Sequence, residues 1–100
     1  MEKFIYYNEL YLIYKDLIKT KTEEVFDLYY GENLSMQEIA DIKNISKSRV
    51  GTIIKSIQNK LDNYENVLKI YENREKLMKV LELNDIKEIK DNIENIIKGE

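Results

Sequence analysis

No proline occurs anywhere in the 100 residues, and glycine occurs only three times. Proline breaks helices because it lacks an N–H donor and clashes with the preceding turn, so its absence permits long uninterrupted helices. Apolar residues also recur at intervals of three and four, which is the period of one helical face. Near the start these residues are Phe4, Tyr7, Tyr11, Tyr14 and Ile18. We therefore predict an all-α fold.

Five helices are predicted, over 3–18, 22–31, 36–43, 47 to about 73, and 86–98. Ser35 with Glu38 forms a capping-box pattern before the third, and Asp85 with Glu88 repeats it before the last. Thr22 is the expected N-cap of the second helix. Asn73 or the pair Asn84–Asp85 is the expected end of the long fourth helix. The tyrosines of the first helix are interpreted as core residues rather than as platforms for base stacking.

The length of the chain fits one domain with a limited core. Hydrophobic residues make up 43% and charged residues 35%, a balance typical of a globular chain. No low-complexity linker divides it. We predict a single helical domain over 1–100, made of a helix-turn-helix over 34–61 and a helical C-terminal extension over 62–100.

Several functional classes are disfavoured by what the composition lacks. Cysteine and histidine are both absent, which removes disulfides, thiolate metal sites and the commonest general base. No nucleophile–base pair or phosphate loop occurs, so we expect no enzyme, cofactor, metal or small-molecule substrate. No apolar run approaches the roughly 18 residues of a membrane span, and the acidic residues near the start are unlike a signal peptide. We expect a cytoplasmic protein.

The helix-turn-helix is predicted from five positions in order. The motif needs a small residue where its helices cross, a residue tolerant of the left-handed conformation, and apolar residues in the turn and on the inner face of the second helix. Ala40, Asn44, Ile45, Val50 and Ile53 meet these needs. Ser46 is the expected N-cap of the second helix.

Two positions depart from the motif. Lys43 stands before the turn, where an apolar residue is usual. The apolar residue here is Ile42, one step earlier, so we expect a slightly different turn geometry. Gly51 lies within the second helix and costs it up to about 1 kcal/mol relative to alanine.

Charge is divided unevenly along the chain, whose net charge is −3. Residues 1–42 hold four basic and nine acidic residues, whereas 43–61 hold five basic residues and no acid. Residues 62–100 hold seven basic and ten acidic residues. The local field of a docking face matters more than the net charge, so the middle segment favours a nucleic-acid partner. A basic face that is merely solvated is the competing interpretation.

The candidate contact residues lie on and around the second helix of the motif. Lys and Arg bind phosphates, Arg grips guanine, and Ser, Thr and Asn bond phosphates or base edges. Ser46 brings a helix N-terminus where it could approach a phosphate. The predicted nucleic-acid-binding residues are Lys43, Ser46, Lys47, Ser48, Arg49, Thr52, Lys55, Ser56, Asn59 and Lys60, with Lys43 and Lys60 on flanking phosphates.

The segment "EEVFDLYYGENLSMQEIADIKNISKSRVGTIIKSIQNKL" resembles region 4 of sigma-70-type factors through Leu28-Tyr29-Tyr30, Leu34-Ser35, Glu38-Ile39-Ala40, Ile45-Ser46 and Val50. The flanks "YNELYLIYKDLIKTKTEEVFDLYY" and "IKSIQNKLDNYENVLKIYE" make the chain similar to the YlxM family from about residue 5 to about 75. That family consists of small bacterial proteins whose genes lie near those of the signal recognition particle. The resemblance implies a sigma-region-4-like fold and a regulator linked to that particle. Carried onto this sequence, the DNA-reading residues are Lys47, Ser48, Arg49, Thr52 and Lys55.

A stripe at alternating intervals of four and three residues follows the motif, with the period of a coiled coil. Its members are Leu61, Tyr64, Leu68 and Tyr71. The stripe is predicted to be either intrachain core or a homodimer seam. Three functions therefore remain open: a DNA-binding module, an accessory factor binding RNA or protein of the signal recognition particle, and a purely protein-interaction helical dimer.

Overall fold

The computed structural model describes residues 2–18 and 22–99, apart from the side chain of Glu2. Within these residues the chain forms six α-helices and no strand, which confirms the all-α prediction. None of the described helices has the length and apolar character needed to cross a membrane. The helices are α1 (Glu2–Tyr14), α2 (Glu23–Phe26), α3 (Met36–Lys43), α4 (Lys47–Leu68), α5 (Ile70–Val80) and α6 (Ile86–Lys98).

The first two predicted helices are less regular than expected. α1 ends at Tyr14 and continues as a short 3-10 helix over Lys15–Leu17, whereas one helix over 3–18 was predicted. α2 follows Thr22 at the N-cap and widens into a π-helix over Asp27–Gly31. This π segment contacts both α1 and α3.

The prediction of one helix from 47 to about 73 was wrong. α4 ends at Leu68 because Lys69 adopts the left-handed conformation, with φ 53° and ψ 32°. A side chain in that region is disfavoured sterically, so no local signal marks the break. Asn73 lies inside α5, while Asn84 and Asp85 lie in the loop before α6.

The core of residues 2–67 joins α1 and α2 to the two helices of the motif. Stacked rings run through it: Phe26 lies 4.8 Å from Tyr11 and 4.3 Å from Tyr30 between ring centroids. The tyrosines of α1 at 7, 11 and 14 are buried, as predicted for core residues. The most completely buried side chains are those of Leu10, Tyr14, Ile18, Phe26, Ile39, Val50, Ile57 and Leu61.

The chain divides into two compact units, Met1–Val67 and Leu68–Glu100. The first unit contains the helix-turn-helix, and the second contains α5 and α6, which pack against each other. The boundary lies beside Lys69, where the backbone leaves α4. That the chain folds as one domain over 1–100 stays a prediction.

Candidate nucleic-acid interface

The first helix of the motif starts with a capping box. The Ser35 hydroxyl accepts from the Glu38 N–H at 3.1 Å, and the Glu38 carboxylate accepts from the Ser35 N–H at 3.0 Å. The two bonds satisfy backbone donors that have no partner within the helix. They also hold the pKa of Glu38 below its usual value. α3 spans Met36–Lys43, the same residues that the sequence predicted.

The turn between the two helices depends on Asn44. Its φ of 55° and ψ of 47° are left-handed, a region that asparagine tolerates better than most residues. The N–H groups of Asn44 and Ile45 both reach the carbonyl of Ala40, the latter at 3.0 Å. Ile45 is half-buried and Ala40 is buried. The turn therefore has the residues and the backbone conformation that the motif predicted.

Ser46 sets the start of the second helix. Its hydroxyl accepts from the Arg49 N–H at 3.0 Å, and its carbonyl accepts from the Val50 N–H at 3.1 Å. α4 accordingly begins at Lys47, as predicted. Because the Ser46 hydroxyl is engaged as a cap, its first contribution is to the start and direction of α4.

Burial determines which way α4 turns its remaining side chains. Val50, Ile53, Ile54, Ile57 and Leu61 are buried, at spacings of three and four residues along one face. The opposite face is consequently turned away from the core over the same length. The buried apolar residues therefore determine which side of α4 is exposed.

The outward face of α4 contains eight of the ten predicted contact residues, all of them exposed. No acidic residue occurs between Lys47 and Leu61. A shallow depression on this face lies among Ser48, Gly51, Thr52, Lys55, Ser56 and Asn59. The eight exposed residues are Lys47, Ser48, Arg49, Thr52, Lys55, Ser56, Asn59 and Lys60.

Gly51 lies in the floor of this depression without being required by close packing. A Cβ atom at this position would meet only the Met36 sulfur, at 3.9 Å, which is an ordinary contact. Beside it, the Thr52 hydroxyl donates to the Ser48 carbonyl at 3.1 Å. Gly51 therefore leaves open space on the exposed face of α4, and it destabilises the helix by up to about 1 kcal/mol relative to alanine.

Lys43 differs most from its predicted surroundings. Ile42, the apolar residue one step earlier, is 60% exposed and does not occupy the inward position before the turn. Lys43 is half-buried instead, and its ammonium group pairs with the Glu24 carboxylate of α2. A lysine can fill an inward position because its aliphatic stem packs while the charged head reaches a polar partner.

The Lys43–Glu24 pair alters the electrostatics at the edge of the motif. The hydrogen bond from Lys43, with its positive charge, holds the pKa of Glu24 below its ordinary value. Lys43 would have to exchange a carboxylate for a phosphate in order to act as the predicted phosphate contact. The cations on the exposed face of α4 are therefore Lys47, Arg49, Lys55 and Lys60.

Tyrosine hydroxyls hold the other side of α4 in place. Tyr30 accepts from the Gln58 amide at 2.6 Å, and Tyr14 donates to the Glu65 carboxylate, also at 2.6 Å. Tyr7 donates to Asp62 at 3.0 Å. These bonds connect α4 to α1 and the π-helix through residues far apart in sequence. They orient α4, and with it the exposed face, relative to α1 and the π-helix.

The four residues of the predicted seam lie in different surroundings. Leu61 is fully buried in its own chain, and the Tyr64 hydroxyl donates to the Leu17 carbonyl at 3.1 Å. Leu68 is exposed at the end of α4. Tyr71 lies beyond the break at Lys69, with the Arg74 guanidinium 5.3 Å from its ring centroid. The stripe is therefore not continuous along one helix.

Sequence reasoning missed the residues that support the site from a distance. Glu24 lies in the first turn of α2, and its pairing with Lys43 across 19 positions was not predicted. Gln58 was given no role, although it is hydrogen-bonded to Tyr30 across 28 positions. Local patterns hold no signal for such pairs, because only the packing of the helices brings them together.

A two-helix motif with a capped first helix, a left-handed turn and a second helix buried along one face makes this an all-α helix-turn-helix protein. The family model described as "Putative helix-turn-helix protein, YlxM / p13 like" matches residues 1–99. The chain belongs to that family, UPF0122, as the resemblance predicted, and the match extends well beyond residue 75.

Relatives in several bacteria are similar to this chain. The UPF0122 protein of Ureaplasma parvum is 43% identical over 67 residues, which is 67% of this chain and 68% of the relative. That of Mycoplasma capricolum is 37% identical over 91 residues, 88% of this chain and 80% of the relative. That of Fusobacterium nucleatum is 33% identical over 101 aligned positions, 99% of this chain and 96% of the relative. Similarity thus includes the second unit as well as the helix-turn-helix.

Proposed function

We propose that this protein binds DNA through the exposed face of α4 and acts as a regulator rather than a catalyst. The observation that supports the proposal is the position of that face: it is exposed and free of acidic residues on the second helix of a helix-turn-helix. In this motif the second helix enters the major groove while the first crosses the backbone. A cytoplasmic location, where DNA is reached directly, is part of the proposal.

Phosphate contacts supply most of the affinity in this proposal. Lys47, Arg49, Lys55 and Lys60 extend along about 20 Å of helix, a length that reaches several phosphates. If all four bind phosphates, log K falls with log salt concentration with a slope of about −4. Binding is therefore strong only at low ionic strength, unless base contacts add to it.

Base contacts would come from the same face. Arginine binds the O6 and N7 atoms of guanine in a bidentate way, and asparagine binds adenine. Arg49 near the start of α4 and Asn59 further along are the residues with this chemistry. Serine and threonine contact either bases or phosphates, and Ser48, Thr52 and Ser56 lie between them.

The shape of the groove favours DNA over duplex RNA. A helix fits the major groove of B-DNA, whereas the major groove of A-form RNA is too deep and narrow for side chains to read. An exposed helix with polar residues along its face matches the wider groove. Duplex RNA would be bound only through phosphates and shape.

The proposal is tested by a salt series on duplex DNA with the wild type, Arg49→Glu and Lys55→Glu. Each reversal is expected to weaken binding roughly tenfold or more and to make the salt slope shallower. Lys90→Glu on α6 is the matched control, since it reverses an exposed charge outside the motif. Unchanged affinity in both α4 variants, or an equal loss in the control, would refute DNA binding by α4.

Action on the signal recognition particle is the second candidate function, and it comes from the family resemblance. The basic face would then contact the RNA or the GTPase of the particle. Exposed acidic residues of the same unit, among them Asp27, Glu38 and Asp41, would contact basic protein surfaces. Competition between duplex DNA and the particle RNA for the protein separates the two functions. Preference for random DNA over the RNA would count against the particle.

Self-association is the third part of the proposal, and it is compatible with either partner. Two of the four residues of the predicted stripe, Leu61 and Tyr64, are engaged inside their own chain. A homodimer must therefore use an apolar surface that the chain leaves uncovered. A purely protein-interaction function would require the same surface without nucleic-acid binding.

A further inference from the structure

The exposed face of α4 has short side chains at its centre where the helix begins. Ser48 lies nine residues before the buried Ile57, which places the two on opposite sides of the helix at about 100° per residue. Gly51 and Thr52 lie within about 60° of Ser48, and all three line the depression on this face. They belong to the first two turns of α4, and in this motif the N-terminal residues of the second helix contact base edges.

Basic side chains lie on both sides of these short residues. Lys47 is rotated from Ser48 by about 100° in one direction, and Arg49 by about 100° in the other. Cations in these positions can bind phosphates on either side of a groove while the residues between them face its floor. Lys55 follows on the line of Ser48 two turns later, so no long side chain holds the first two turns of α4 away from the bases.

Gly51 is not required by the structure of its own chain. It lies inside α4, and the described glycine with a positive φ is Gly99. An added Cβ atom would make only an ordinary contact with the Met36 sulfur, and alanine would favour the helix. Glycine also lets a ligand approach a backbone closely. The space beside Gly51 is therefore available to a partner from outside the chain.

Thr52 is restricted in the groups that it can contact. Its hydroxyl donates to the Ser48 carbonyl, so the proton is not available to a phosphate oxygen or to the O6 and N7 acceptors of guanine. The hydroxyl oxygen can still accept, and the methyl group can make an apolar contact. An adenine·thymine pair presents a partner for each of them, the N6 amino group of adenine and the C5 methyl group of thymine.

We propose that Gly51 and Thr52 form a subsite for the C5 methyl group of thymine. The inference rests on the proposed binding of DNA by α4, and it names the base that the start of this helix contacts. The thymine methyl packs against the Thr52 methyl, in the space that Gly51 leaves open. Cytosine and uracil have no methyl group at this position, so the subsite favours adenine·thymine pairs.

The test compares two alternating duplexes, poly(dA-dT) and poly(dA-dU), which carry the same phosphates and differ only in the C5 methyl group. The full chain is titrated with each at low salt, where phosphate contacts are strong. The wild type is expected to bind poly(dA-dT) about threefold to fivefold more tightly, as burial of one methyl group predicts. Thr52→Ser keeps the hydroxyl that bonds to Ser48 and removes only the methyl, so it is expected to bind both duplexes equally.

The outcomes separate the subsite from the proposed function. Equal, salt-dependent binding of both duplexes by the wild type overturns the thymine contact and leaves DNA binding by α4 intact. A preference for poly(dA-dT) that persists in Thr52→Ser overturns the assignment of the contact to Thr52. Failure to bind either duplex at low salt overturns the proposed function together with the subsite.

Gly51→Ala distinguishes a role in binding from a role in folding. Its melting temperature is expected to rise by roughly 4 to 8 °C, because alanine favours the helix and fits the space. Its affinity for poly(dA-dT) is expected to fall by about threefold or more, because the added methyl displaces that of thymine. Gly31→Ala is the matched control, since a Cβ atom there meets nothing and lies outside the motif, and it should leave the affinity unchanged. A lower melting temperature or an unchanged affinity in Gly51→Ala would contradict the role assigned to Gly51.

Discussion

The ammonium group of Lys43 pairs with the carboxylate of Glu24, across the contact between the first helix of the motif and α2. Lys43 is the one basic residue of the segment 43–61 that does not lie on α4, and the pair holds it against α2. The pair connects α3 to α2, and it competes with any phosphate for the same lysine.

We expect Glu24→Gln to raise the affinity for duplex DNA, because it releases Lys43 to bind a phosphate. The gain should be larger at low salt, and the salt slope should become steeper by about 1. Salt titrations of DNA binding measure both quantities. Glu32→Gln removes the same charge from another exposed position and is the control. Equal gains in the two variants would mean that only net charge had changed.

Tyr14→Phe is expected to destabilise the first unit by about 1 to 3 kcal/mol, because a buried carboxylate loses one of its hydrogen-bond donors. The Tyr14–Glu65 bond is buried and 2.6 Å long, whereas the Tyr7–Asp62 bond is partly buried and 3.0 Å long. Tyr7→Phe should therefore cost less. Urea unfolding measures the difference, and an equal or larger loss in Tyr7→Phe would contradict the ranking.

The break after α4 predicts a stabilising substitution. Lys69 has a φ of 53°, a region in which a side chain costs roughly 1 to 2 kcal/mol and glycine costs nothing. After the larger unfolded-state entropy of glycine is subtracted, Lys69→Gly should stabilise the chain by about 0.5 to 1 kcal/mol. Lys76→Gly, inside α5, should instead destabilise it by about 1 kcal/mol. Thermal melts measure the stability of both variants. A lower melting temperature in Lys69→Gly than in the wild type would show that α4 and α5 are one helix in solution.

Stability is expected to fall in alkaline solution. Burial, together with the hydrogen bond to Asp62, raises the pKa of Tyr7 from 10.0 to about 12, and burial also raises the pKa of Tyr11 and Tyr30. The unfolded chain therefore releases these protons at lower pH than the folded chain does. Above pH 10 the unfolded state binds fewer protons, so the free energy of unfolding decreases as pH rises.

The alkaline loss is measured as the urea midpoint between pH 8 and pH 11.5. The midpoint should be constant up to about pH 9.5 and should then decline. In Tyr7→Phe the decline should be shallower, because one of the contributing protons is gone. A midpoint that stays level to pH 11 would contradict the raised pKa of Tyr7.

The motif itself was predictable because its signals are local. The capping box of Ser35 and Glu38, the left-handed Asn44 and the cap at Ser46 lie within four residues of the bonds they make. The helix starts at 36 and 47 followed from them, and the start at 86 followed from Asp85, whose side chain accepts from the Lys87 N–H. The exposed face of α4 followed from the apolar spacing. Side chains whose partners lie within a few residues leave a pattern that can be read from one amino-acid sequence.

The amino-acid sequence by itself determined the helical class, the helix-turn-helix and the basic face, because each depends on neighbours within one or two turns. Only the tertiary structure decided where α4 ends, which acid binds Lys43 and which apolar residues stay uncovered. The left-handed backbone at Lys69 opposes the conformational preference of a lysine, and Glu24, the partner of Lys43, lies in another helix. Leu61 and Leu81 look alike in the sequence, yet one is buried and the other exposed. Packing makes that difference, because it decides which apolar surface finds a neighbour within the chain.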